Sequence, residues 1–242
     1  MSFFSSLYPK VHPQTTDGVT TANFFIGGVS AENETNNYPL KLSAVFEDYL
    51  DVLSQLDKGK FIILGRKGCG KSAIGEYISM KAEEEANFFC SLIQNTDVNL
   101  EKIAQLGENK EGKTIEIEML YRWIILTQIL ELITKNEFVM KDQTIFKHIK
   151  LFLDRNRGFI DIDKNQMVET IKENGFSINI EYLKRVLRAM GGVTYITKTK
   201  ESKADFYLLI PDLENLIQQI LSQDSDNSYI LIFDDLDLGY NC

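Results

Sequence analysis

The sequence predicts an α/β fold in which a parallel sheet, flanked by helices, is interrupted by a mostly helical insertion and a β-hairpin. Three observations carry this. The continuously apolar run Phe61, Ile62, Ile63 and Leu64 feeds straight into a glycine-rich loop and then an amphipathic helix. A second apolar run, residues 229–233, ends in carboxylates, and between the two runs residues 96–190 place their apolar side chains at helical spacing. Short runs that are apolar on both faces are what strands inside a parallel sheet require.

In chain order, residues 1–58 form a lead-in segment and a helix. Residues 11–40 are rich in Thr, Asn, Gly and Ser, which favours turns. From Leu42 the residues Ala44, Val45, Tyr49, Leu50, Val52, Leu53 and Leu56 recur at helical spacing, and Asp57, Lys58 and Gly59 mark the stop. Residues 59–95 read as strand 61–64, loop, a helix from Lys71 to about Glu85 with Ile74, Tyr77, Ile78 and Met80 inward, and strand 86–93. That order makes a right-handed crossover. Residues 96–190 are the helical insertion, with a polar loop at 107–113 and helices at 115–135, 143–154, 165–174 and 180–189. Residues 191–242 hold the expected hairpin (193–199 and 204–210), a helix at 212–223 opened by Pro211, and the strand at 229–233.

Composition narrows the possible partners. Among 242 residues, 26 Lys+Arg stand against 35 Asp+Glu, and the net charge of -9 has the wrong sign for wrapping nucleic acid over a broad surface. Nucleic acid could still meet a small basic groove, and Lys184, Arg185, Arg188, Lys198, Lys200 and Lys203 form the one basic cluster, whose simpler reading is a solvated face. Three scattered cysteines (Cys69, Cys90, Cys242) make neither a disulfide framework nor a zinc site, so a cytoplasmic protein is expected. The most apolar segment, 115–133, carries Glu116, Glu118, Arg122, Gln128 and Glu131, which suits a core helix with one wet edge and not a membrane span. Trp123 in that helix is expected in the core. Asp161, Asp163 and Asn165 imitate a calcium loop, but Gln166 stands where glycine is needed and Lys172 where the bidentate acid belongs.

The chemistry concentrates in two places. Gly65-Arg66-Lys67-Gly68-Cys69-Gly70-Lys71-Ser72 satisfies G-x-x-x-x-G-K-[ST] at every fixed position and sits between an expected strand and helix. Glycines let the backbone N–H groups of residues 65–73, through Ala73, wrap a phosphate, and the helix terminus adds positive potential. Lys71 would then bridge phosphate oxygens, and Ser72 would offer its hydroxyl to Mg²⁺. The second place is Asp234-Asp235-Leu236-Asp237 at the end of the 229–233 run, expected beside the loop strand. Asp234 is the expected Mg²⁺ acid, and Asp235 the carboxylate that positions an attacking water. A carboxylate cluster at a buried strand end is costly without a cation, which ties it to the loop.

These two motifs resemble those of P-loop NTPases of the KAP and STAND-like ATPase groups, most of all bacterial relatives from antiviral defence. The likeness rests on Gly65 to Ile74 and on Ile232-Phe233-Asp234-Asp235-Leu236-Asp237, with Leu238 where KAP members commonly carry Arg. It implies a P-loop core, ATP and Mg²⁺ as ligands, an ATPase switch that forms homo-oligomers, and a partner or effector protein under its control. The acidic motif falls close to Cys242, so a longer protein of which this is the N-terminal part is expected. Alternatives from other classes are a nucleotide-dependent scaffold with little turnover, a DNA-associated ATPase, and a small-molecule kinase, for which no acceptor-site carboxylate stands out.

Overall fold

The computed structural model describes residues 46–48, 50–66, 68–94, 117–161 and 166–234. The expected turns of 11–40, the loop 107–113, residues Ile162 to Asn165 of the calcium-like run, and Lys67, Asp235 and Asp237 lie outside the described residues. The chain divides into two compact units, Met1–Met80 and Lys81–Cys242.

In the first unit α1 is Val52–Asp57; of the helix expected from Leu42 onward, residues 42–45 and 49 lie outside the described residues and 46–48 are not helical. The reason is local. Asp51 adopts a left-handed backbone (φ 50), which no helix interior accommodates, and both carboxylate oxygens of Asp48 accept from Val52 N, at 3.1 and 2.9 Å, closing the helix start. Gly59 (φ 77) ends α1 by donating its N–H to Leu56 O at 2.8 Å, and Lys60 N reaches Gln55 O at 3.0 Å. Helix α2, Lys71–Glu84, begins in this unit with Ile74 and Ile78 buried, as expected.

The expected strand at 61–64 does not form. Phe61, Ile62, Ile63 and Leu64 are 77, 81, 41 and 89 % exposed and have no ladder partner among the described residues. Apolar character registers a preference for burial, but a strand also needs a neighbour's N–H and C=O groups, and the run's own sequence supplies none.

The second unit contains the principal core. Strands β1, Phe88–Gln94, and β4, Ser228–Asp234, pair in parallel, with Phe88 opposite Ser228 and Gln94 opposite Asp234. β4 therefore neighbours β1, and not a strand at 61–64 as expected. Helix α3, Ile117–Ile133, packs on both strands and on α9, Ile210–Leu221. With it stand α4 (Gln143–Arg155), α5 (Arg157–Ile160), α6 (Gln166–Asn174) and α7 (Glu181–Ala189); α3, α4, α6 and α7 lie close to the four helices that the spacing predicts, and α5 is a short turn that it does not predict. α4 is capped by Asp142, whose carboxylate accepts from Thr144 N and Ile145 N. Among the described residues no helix is long and apolar enough to cross a membrane.

The expected hairpin is replaced by three other elements. Tyr195–Lys198 is a single helical turn, α8; Lys203–Asp205 is β3, antiparallel to the short strand β2, Ser177–Asn179; and Phe206–Leu209 is a 3₁₀ turn leading into α9. The β-branched run at 193–199 is overridden by its own threonines, because Thr194 and Thr197 form a reciprocal capping box. The Lys184 ammonium, 8 % exposed, then donates to Thr199 O at 2.9 Å and to Glu201 O, and Arg188 donates to Thr197 O at 2.7 Å. These cations hold the 197–201 carbonyls away from a ladder.

Directional bonds fix how the helices meet. Trp123, buried as expected, donates to Phe159 O, and Gln128 donates to Ile160 O, both at 2.9 Å, so α3 side chains satisfy the terminal carbonyls of α5. Gln128 is accordingly buried and not on a wet edge; Glu118 is exposed and Arg122 pairs with Glu214 at 2.6 Å. Asn156 joins α4 to β2: its amide donates to Phe152 O (2.8 Å) and Asn179 O (2.9 Å), and its carbonyl accepts from Asn179 N (2.9 Å). Replacing it strands Asn179's backbone groups in a half-buried place. Asn156→Ala is expected to lower stability by about 3 kcal/mol, read as a shifted urea midpoint at constant slope.

Candidate functional site

The loop between residues 65 and 72 is shaped by its backbone. Gly68 (φ 80) and Gly70 (φ 92) lie in the left-handed region, and Cys69 N donates to Arg66 O at 3.2 Å to form a tight turn. A Cβ at either glycine would point into open space, so conformation rather than crowding demands glycine there. Gly65 differs: a Cβ there would collide with Cys69 Sγ, which folds across it. The loop feeds α2, whose first turn closes through Ile74 N donating to Gly70 O at 3.1 Å.

Lys71 lies at the mouth of this loop. Its ammonium donates to Gly65 O at 3.3 Å and Arg66 O at 3.5 Å, so the side chain that the motif assigns to phosphate is folded onto the loop's own carbonyls. Gly65, Arg66, Gly68, Cys69 and Gly70 are exposed, and Lys71, Ser72 and Ala73 are half-buried. The structure thus gathers the loop residues into one local cluster. Asp234 belongs to the second unit, where it closes β4 opposite Gln94 and is half-buried. Asp235 and Lys67 lie outside the described residues. Among the described residues there is no group of three or more His, Cys, Asp or Glu able to hold a metal ion by itself.

The basic cluster is divided. Lys184 and Arg188 hold backbone carbonyls, Arg185 reaches Glu181 at 3.0 Å and lies over the Tyr182 ring, while Lys198, Lys200 and Lys203 are exposed. A buried carboxylate that the sequence reading passes over is Asp212, in the first turn of α9. Its position four residues before the buried Leu216 was the available signal, since i and i+4 share a helix face.

Set against known protein families, curated proteins and solved structures, the chain matches none. The loop must therefore be judged on its own geometry. An alanine at Gly70 would have to hold a left-handed backbone at a cost of about 1 kcal/mol. Gly70→Ala is expected to raise amide exchange at Ile74, the first bonded N–H of α2, about fivefold, with little change in the second unit.

Proposed function

We propose that this chain binds Mg-ATP through residues 65–73 and hydrolyses it as a switch acting on a partner protein. One observation carries the reading: a loop with two left-handed glycines runs into a helix start and holds a lysine ammonium on its own carbonyls. Weak bonds to two carbonyls are readily exchanged for stronger ones to phosphate oxygens, where both partners are charged. In a protein of net charge -9, a polyphosphate needs such a local positive field.

Within this reading the N–H groups of 65–73 and the Lys71 ammonium would hold the triphosphate and the Ser72 hydroxyl would offer Mg²⁺ a hard oxygen ligand, while Asp234 is the acid that the sequence motif alone assigns to that ion. The ion, when bound, neutralises phosphate charge that the loop alone leaves uncompensated. Asp235 orients water for attack on the terminal phosphoryl group. The resemblance to KAP and STAND-like ATPases adds the wider role: oligomerisation and control of an effector, in bacterial antiviral defence, in the cytoplasm.

A thermal-shift series with ATP, ADP and GTP plus Mg²⁺ tests the binding claim. ATP is expected to raise the melting temperature of the parent protein, and Lys71→Ala to abolish the rise. No shift with any nucleotide would sink the proposal. Phosphate release then tests turnover: Asp235→Asn should keep the ATP-induced shift and lose release, whereas a parent that binds without release is a nucleotide-dependent scaffold.

A further inference from the structure

The second unit holds a cavity of about 300 Å³ where the end of α7, the 190–194 loop and α9 meet. Its buried lining is Asp212, Leu187 and Leu216; Met190 and Thr194 contribute half-buried wall, and the exposed amides of Asn215 and Gln219 also line it. Asp212, Asn215, Leu216 and Gln219 are presented together because they fall at i, i+3, i+4 and i+7 of one helix.

Asp212 is the anomaly. It is 7 % exposed, it is the one charged residue in the lining, and no ion pair among the described residues includes it. Burial pushes its carboxyl above the usual carboxylate range, and a hydrogen bond with Thr194 draws it part of the way back. Buried carboxylates elsewhere are kept by a cation or a metal. Here the α9 N-terminus gives partial relief, and Asp212 lines a cavity.

We infer that this cavity binds an organic cation, an ammonium or guanidinium group carried on an aliphatic chain. Asp212 supplies the countercharge, the carbonyls of Asn215 and Gln219 accept the remaining N–H groups, and Leu187, Met190 and Leu216 take the aliphatic stem. A bare divalent ion is disfavoured, since hard cations need six or more oxygens and half of this lining is hydrocarbon. An anion would meet the Asp212 charge directly. Val193 and Tyr195, on either side of Thr194, are exposed apolar residues, so both a free amine and a basic side chain of a polypeptide have the right chemistry.

The test is calorimetric titration of the full chain with agmatine, with cadaverine and with the blocked peptide acetyl-Gly-Arg-Gly-amide, using n-pentanol as neutral and acetate as anionic control. Saturable binding of at least one cation, absent for both controls and weakened at least tenfold in Asp212→Asn, is the expected result. The peptide binding more tightly than agmatine identifies a polypeptide source, and the reverse a free amine. Binding of no cation, or equal binding by Asp212→Asn, overturns the inference. Should Asp212→Asn fail to melt cooperatively, Asn215→Ala with Gln219→Ala, both exposed positions, takes its place, and unchanged affinity there overturns it equally.

Discussion

Helix α3 is apolar on nearly every side, and such a helix can exist in water only if it is enclosed. Much of the second unit follows from enclosing it. β1 and β4 cover one side, α9 covers another, and Trp123, Leu130 and Ile133 join a core that runs from Leu120 to Ile220. β1 and β4 are parallel and far apart in sequence, so no turn holds them in register, and the helix that spans both does that work instead. Glu131 near the end of α3 pairs with Arg157, which also reaches Asp154 and Asp161. Burial alone would lower the affinity of that guanidinium for its proton, and the three carboxylates raise it. The ion cluster therefore holds α5 against the helix, and the excess negative charge sits on Asp154 and Asp161, which remain open to solvent.

Hydrophobic enclosure has no direction, so the relative placement of elements comes from a few buried polar groups. Asn156 binds α4 to β2 through both of its functions, and Lys184 gathers two carbonyls on the far side of α7. Tyr229 does the same for the sheet. Its hydroxyl donates to Asp224 at 2.6 Å and accepts from Asn136 at 2.9 Å, while its ring stacks on Phe89 across the β1–β4 pair. Burial, reinforced by Asp224, pushes the phenol well above its ordinary range, so it remains a donor at any physiological pH.

The parts legible in the sequence were those whose signal is local. α4, α6 and α7 show strong one-sided patterns, and β1 and β4 are apolar runs that do find each other. The failures share a cause. Residues 61–64 have the composition of a buried strand and no partner in the described structure, and residues 193–199 have β-branched composition but a capping box that closes a helical turn first. Pairing partners and side-chain caps are relations between residues, and periodicity does not register them. The loop at 65–72 was legible because its glycines and lysine are spaced by backbone geometry within eight residues. Asp212 was not, because its meaning lies in what α7 and the 190–194 loop bring beside it.

The exposure of residues 61–64 bears on the loop that follows them. With no ladder ahead of it, the loop takes its shape from short-range bonds alone: the Arg66–Cys69 turn, the Gly70–Ile74 closure of α2, and Lys71 on two carbonyls. A ligand that draws Lys71 away removes one of these restraints and must replace it with its own bonds. Loop geometry and occupancy are then one equilibrium, and part of any binding free energy goes into holding the loop. A strand partner for residues 61–64 would remove apolar surface from water and fix the entry to the loop at the same time. A neighbour pairing with that run would therefore tighten the loop as well, and for a loop that binds a ligand the two effects would be linked, each lowering the cost of the other.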